Sequence, residues 1–205
     1  MALPTIYNLK PAFQNLLRPL VNRLAAWGVR PNTITGAAIA LSILTGGLLF
    51  VAQIVPQQLG WVFLLLPPVL FIRMGLNAID GMLAREHNLQ TSLGGILNEL
   101  GDVISDAALY LPFALFPQSA YLIVPLVILA ILTEMAGVLA VTTGSKRRYD
   151  GPMGKSDRAV VFAIVSLLLG CGLTPGLWLP VVWVLVILLL LWTIINRVMG
   201  AIQTN

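Results

Sequence analysis

NAIDGMLAREHNLQTSLGGILNELGDVISD, residues 77–106, reads as two helices joined by a short turn. Asn77 and Asp80 are three apart and share one helical face; Asn98, Asp102 and Asp106 are spaced by four and share another. Two helices in a hairpin can aim these faces at each other and gather hard oxygen ligands. Such ligands suit Mg²⁺, Mn²⁺ or Ca²⁺ rather than zinc, and His87 is the single histidine of the chain. Mg²⁺ in protein sites usually accompanies phosphate. Gly81 and Ala84 remove side-chain bulk beside the cluster, so a flat or bulky ligand can approach the backbone. Arg85 adds a permanent cation one turn from Asp80, suited to a phosphate.

The rest of the chain sets the solvent for that hairpin. Hydrophobic residues make up 58% and charged residues 10%, against about a quarter charged in soluble domains. Mean hydropathy is +0.91. So few charges cannot cover a water-facing surface, and lipid is the expected surroundings of most of it. Apolar stretches long enough to cross a bilayer recur at about 33–55, 59–83, 93–116, 119–143, 158–174 and 176–198. The expected fold is an all-α integral membrane protein: six transmembrane helices in residues 31–205, preceded by a juxtamembrane segment, residues 1–30. In that segment Leu9, Phe13, Leu16, Leu17, Leu20 and Leu24 fall near helical spacing among Lys10, Arg18 and Arg23, with Pro11 and Pro19 interrupting. This is the pattern of an amphipathic helix lying in the interface.

The connections near 56–58, 117–118 and 175 lack Lys and Arg, whereas Arg85, the run Lys146, Arg147, Arg148, Lys155, Arg158, and Arg197 mark the other side. This asymmetry predicts both termini in the cytoplasm, with Asp80 and Asp102 at one level near that face. Trp61, Trp178 and Trp192 read as interface anchors, and Cys171 as a small packing residue. Arg73, two turns deeper than Asp80, is expected to pair with Glu134 or to line a pocket. His87 is expected in a solvated turn. No nucleic-acid motif is present.

The hairpin resembles the signature of the CDP-alcohol phosphotransferase family, D-x-x-D-G-x-x-A-R, eight residues, then G-x-x-x-D-x-x-x-D. Asp80 to Arg85 reads D-G-M-L-A-R, Gly94 arrives on schedule, and Asp102 falls on the last aspartate. Pro31, Asn32 and Thr35 resemble the family's P-N-x-x-T opening of the first span. Two positions depart: the first and third aspartates are Asn77 and Asn98 here, as in a divergent branch of the family. The resemblance implies divalent metal, Mg²⁺ or Mn²⁺ as one or two ions, on Asn77, Asp80, Asn98 and Asp102. Asp106, and after it Glu99, would replace the missing charge.

The resemblance further implies Asp102 as the catalytic base. Asn32, Thr35, Gly81, Ala84 and Arg85 would lie in the nucleotide-lipid site, and the protein would be a homodimer in a bacterial inner membrane. The donor would be CDP-diacylglycerol and the product a phosphodiester lipid. The basic, glycine-rich loop from Gly144 to Arg158 offers Lys155 and Arg158 for phosphate of donor or acceptor, which suggests a polyol or sugar phosphate as acceptor. Lys146, Arg147 and Arg148 are expected to orient the chain and bind headgroups. Two other readings stand beside this one: a CDP-lipid- or metal-binding pseudoenzyme, and a small cation transporter.

Overall fold

The computed structural model describes residues 10–55 and 60–203, and no strand occurs among them. Helix α1 (Lys10–Ala26) is followed by α2 (Pro31–Ile54), α3 (Leu66–Glu86), α4 (Ser92–Tyr110), α5 (Ala120–Leu139), α6 (Lys155–Gly170) and α7 (Trp178–Ile202). Short 3-10 turns precede α3 at Gly60–Leu65 and extend α4 at Leu111–Leu115 and α5 at Ala140–Thr143. Leu9, the connection at 56–58 and the last two residues lie outside the described residues.

Four stretches are long and apolar enough to cross a membrane: Pro31–Ile54, Gly60–Glu86, Ala120–Thr143 and Trp178–Ile202. The other two expected spans coincide with α4 and α6. Helix α4 carries Glu99, Asp102 and Asp106, and α6 has 16 residues, so neither reaches the apolarity and length of those four. Local signals set the helix starts. Pro31 opens α2, where a missing N–H costs nothing. Thr91 caps α4 by accepting from the Gly94 backbone N–H at 2.9 Å. Asp157 accepts from the Gly154 N–H at 3.0 Å in the first turn of α6, where the helix dipole favours a carboxylate. Both Pro11 and Pro19 are accommodated within α1. Leu17, Val21 and Leu24 of α1 pack against Ile79, Met82 and Leu83 of α3, while Leu16 and Leu20 stay exposed.

Small residues let α2 and α4 approach closely. A Cβ on Gly46 would overlap the backbone carbonyl of Ala108, and one on Gly101 would lie 2.7 Å from Ile39 Cδ1. Small interfacial residues of this kind are how apolar helices gain contact in lipid. Beyond that crossing, Tyr110 stacks on Phe162 at 3.8 Å and Phe162 on Trp183 at 5.0 Å, and Phe113 meets both rings edge-on. Trp183 Nε1 donates to Ser119 Oγ at 3.2 Å. The polar loop 144–154 folds back on the bundle: Arg148 N–H bonds to the Gly137 carbonyl at 3.1 Å and Met153 N–H to Thr193 Oγ1 at 2.9 Å. Gly151 makes this possible. Its φ is +111°, and a Cβ would sit 2.7 Å from Thr193. Trp61 and Trp192 are exposed, and Trp178 donates to the Thr174 carbonyl at 3.0 Å. Cys171, expected to pack, is exposed instead, because α6 ends at Gly170 and the chain turns outward there.

The Gly46 contact yields a direct check. Gly46→Val is expected to destabilise the detergent-solubilised protein by at least about 1–3 kcal/mol, through overpacking against backbone that cannot yield. An unchanged thermal midpoint would contradict the α2–α4 crossing.

Candidate functional site

The hairpin read from residues 77–106 is formed by α3 and α4. Asn88, at φ 56°, takes the left-handed position after α3, and the Leu89 N–H closes the helix on the Ala84 carbonyl at 3.0 Å. Three residues later the Thr91 cap starts α4. This tight reversal brings the two polar faces together: Asn77 Nδ2 donates to Asp102 Oδ1 at 2.8 Å. From α2, Thr35 Oγ1 donates to Asp80 Oδ2 at 2.8 Å. From α6, Lys155 Nζ forms a salt bridge to the same Asp102 oxygen that Asn77 holds. Gly94 leaves room for Asn32, whose Oδ1 would lie 2.8 Å from a Cβ there.

These groups border a cavity of about 740 Å³. Asn32, Thr35, Asn77, Asp80, Gly81 and Ala84 line it, together with Arg85, Asn98, Asp102 and Lys155. The Arg85 guanidinium lies over Gly81, 3.1 Å from where a Cβ would stand. The α1–α3 side of the cavity is apolar, formed by Phe13, Leu70, Phe71 and Met74, with the Phe13 and Phe71 rings edge-to-face at 6.0 Å.

Two expected site residues are placed elsewhere. Asp106 and Arg158 lie beneath the cavity, both buried. Arg158 Nη2 bonds to Asp106 Oδ2 at 2.9 Å and to Glu134 Oε1 at 3.0 Å, and its Nη1 to Thr133 Oγ1 at 3.1 Å. Arg73 Nη1 holds the other Asp106 oxygen at 2.6 Å. Asp106 is one turn deeper than Asp102, and both its oxygens are engaged by guanidinium groups. Glu99, the second choice to replace charge lost at Asn77 and Asn98, is paired with Arg147. Arg73 pairs with Asp106 and approaches Asp102 at 3.7 Å instead of meeting Glu134, and it lines the cavity, which was the other expectation for it. His87 caps α3, partly buried.

The cavity also gains residues that sequence reasoning gave other work. Arg147, expected to orient the chain, reaches inward to Glu99 and to Glu134 Oε2 at 3.5 Å, 4.9 Å from the Tyr149 ring centroid. Arg197 Nη1 lies 3.6 Å from Glu134 Oε2, and its Nε donates to the Asp150 carbonyl at 3.3 Å. An acid inside an apolar stretch, Glu134, was the available signal. Its partners, distant in sequence, were not.

The donor set can be weighed for a cation. Asp80 and Asp102 supply carboxylates, and Asn77 and Asn98 carry amide oxygens on the same wall. Among the described residues no group of three or more His, Cys, Asp and Glu gathers for a metal. Two carboxylates with amide oxygens fit a hard divalent cation that shares its remaining positions with water or phosphate.

A family model described as CDP-alcohol phosphatidyltransferase matches residues 28–195. The chain belongs to this family. Inner membrane protein YnbA of Escherichia coli (strain K12) is 53% identical over 194 residues, 94% of each chain. Cholinephosphotransferase 1 of Danio rerio is 33% identical over 88 residues, 42% of this chain and 23% of that protein. The fold matches the crystal structure of Mycobacterium tuberculosis phosphatidylinositol phosphate synthase (PgsA1), in complex with manganese and citrate, at a TM-score of 0.67. That match has 19% identity and covers 89% of this chain and 87% of that one.

The buried ionic floor gives an expected outcome. Asp106→Asn leaves two buried guanidinium groups under-neutralised and is expected to cost about 3–5 kcal/mol of stability. Thermal unfolding of the variant checks this; wild-type stability would mean that Asp106 does not hold α3, α4 and α6 together.

Proposed function

We propose that this transferase moves a phosphatidyl group from CDP-diacylglycerol to the hydroxyl of a polar acceptor and releases CMP. The observation that carries the reading is one cavity that joins Asp80, Asp102 and Arg85 to the bare backbone at Gly81 and Ala84 and ends in an apolar wall. A guanidinium, with carboxylates that would share a divalent cation with it, suits a diphosphate, the glycine and alanine admit the nucleoside, and Phe13, Phe71 and Met74 suit acyl chains.

Asp80 and Asp102, with the amide oxygens of Asn77 and Asn98, would hold Mg²⁺ or Mn²⁺. Such an ion offsets negative charge on the diphosphate and on departing CMP. Thr35 fixes the Asp80 carboxylate, and Asn77 with Lys155 fixes that of Asp102. Arg85, next to Gly81, places a cation for the diphosphate. Asp102 takes the proton from the acceptor hydroxyl as its oxygen bonds to the lipid phosphorus and the phosphoanhydride bond to CMP breaks. Asp106 and Arg158 position the wall that carries Asp102 and Lys155, without touching substrate.

The same reading places the chain in a bacterial inner membrane. Six spans over residues 31–205 follow α1 in the interface, with the termini and the cavity cytoplasmic and a second copy as homodimer partner. Basic residues at the cavity end of the bundle support that orientation. The Asn residues at 77 and 98 favour one competing reading, a pseudoenzyme that binds CDP-lipid without turnover. CMP release by the wild-type protein discriminates between them.

Asp80→Asn is expected to reduce CMP release by more than about a hundredfold, near 3 kcal/mol of barrier, in protein that stays folded by thermal unfolding. Retained turnover of a tenth or more would remove Asp80 from the machinery. Exhaustive chelation is expected to abolish CMP release, and added Mg²⁺ or Mn²⁺ to restore it. Undiminished release in metal-free protein would reject the cation site.

A further inference from the structure

The transfer reading leaves the acceptor open, and the part of the cavity beyond Asp102 has a distinctive charge arrangement. An acceptor hydroxyl must reach Asp102. Donor-binding groups occupy the α3 side, so the acceptor lies toward α5, α6 and α7. That side presents Glu134, Arg147, Tyr149, Lys155, Ser156 and Arg197. Each cation there already has a carboxylate. Arg147 is on Glu99 and within 3.5 Å of Glu134, Arg197 is 3.6 Å from Glu134, and Lys155 is on Asp102. On the donor side, by contrast, Arg85 makes no salt bridge among the described residues, which leaves it available to a diphosphate.

A phosphate dianion entering the α5–α7 side would have to displace carboxylates from their guanidinium partners. It would also lie against Glu134, and like charges at a desolvated contact are strongly unfavourable; Glu99 acts from behind the lining by holding Arg147. A hydroxylated neutral molecule meets no such obstacle. Its hydroxyls can donate to the Glu134 carboxylate and accept from Arg147, and the Ser156 hydroxyl can do either. We infer that the acceptor is an uncharged polyol, selected against its phosphorylated counterpart by the Glu134 carboxylate in the cavity and by Glu99, which keeps Arg147 occupied. This rests on the transferase reading above, and it replaces the phosphorylated acceptor that the basic loop suggested from sequence.

The test uses full-length protein in detergent-lipid micelles with CDP-diacylglycerol and Mn²⁺. CMP release is measured with glycerol and inositol, and in parallel with glycerol 3-phosphate and inositol 1-phosphate at equal concentrations. The neutral alcohols are expected to support at least about tenfold greater kcat/KM, the equivalent of 1.4 kcal/mol in transition-state discrimination. Glu99→Gln, on the more exposed of the two acids, is expected to narrow that ratio by improving the phosphorylated acceptors. Equal or better turnover of the phosphorylated acceptors by wild-type protein overturns this inference and leaves the transferase reading intact. An unchanged ratio in Glu99→Gln also counts against it, because the carboxylate would then not be the discriminating group. CMP release with none of the four acceptors overturns the transferase reading and this inference together.

Discussion

A guanidinium group shut away from water has to be neutralised and hydrogen-bonded, and the terminal nitrogens of Arg158 find carboxylates on Asp106 of α4 and Glu134 of α5. Arg73 from α3 joins at Asp106, and Arg147 and Arg197 from the loop and α7 join at Glu134. One connected ionic network therefore ties five helices, α3 to α7, and the loop before α6. Apolar packing alone would let helices slide in lipid, because lipid tails are as apolar as leucine. Burying ions does not by itself make a protein more stable than burying leucines would. What it does here is restrict register, because sliding one helix would part charges that are paired across the bundle.

The cavity stands on that network. Asp102 is one turn above Asp106 on the same helix, so fixing Asp106 fixes the height and direction of Asp102. Lys155 precedes Arg158 by three residues on α6 and shares its face, so the pair Asp106–Arg158 below aligns the pair Asp102–Lys155 above. The tight glycine contacts between α2 and α4 do the same for Thr35, whose hydroxyl reaches Asp80. The aromatic stack of Tyr110, Phe162 and Trp183 closes the bundle on the side away from the cavity. Polar chemistry is thus confined to one end.

Local features were legible in the sequence, and distant pairings were not. The α3–α4 hairpin could be read because its signals are short-range: spacings of three and four, turn residues at 87–91, and small residues at fixed offsets. Helical stretches fell where apolar runs predicted them, yet α4 and α6 are less apolar or shorter than a spanning helix because they carry the site. Asp106 shows the limit. Periodicity put it on the face of Asp102, which is correct, but its partner Arg158 lies 52 residues away. Depth then decides its role, since the turn below the cavity is the turn that meets α6. Arg147 shows the same limit: read as a basic loop residue it is an orientation signal, and its place against Glu99 and Glu134 appears only once the helices are assembled.

The central claim is that the groups around Asp80 and Asp102 form the centre at which a divalent ion and a cytidine diphosphate group meet. The most direct measurement is a crystal structure with Mn²⁺ and CDP, with the manganese located by its anomalous scattering. The account expects an anomalous peak in coordination contact with the Asp80 and Asp102 carboxylates, and CDP phosphates beside it toward Arg85. A manganese peak outside this cavity, or CDP bound away from Asp80 and Arg85, would contradict it.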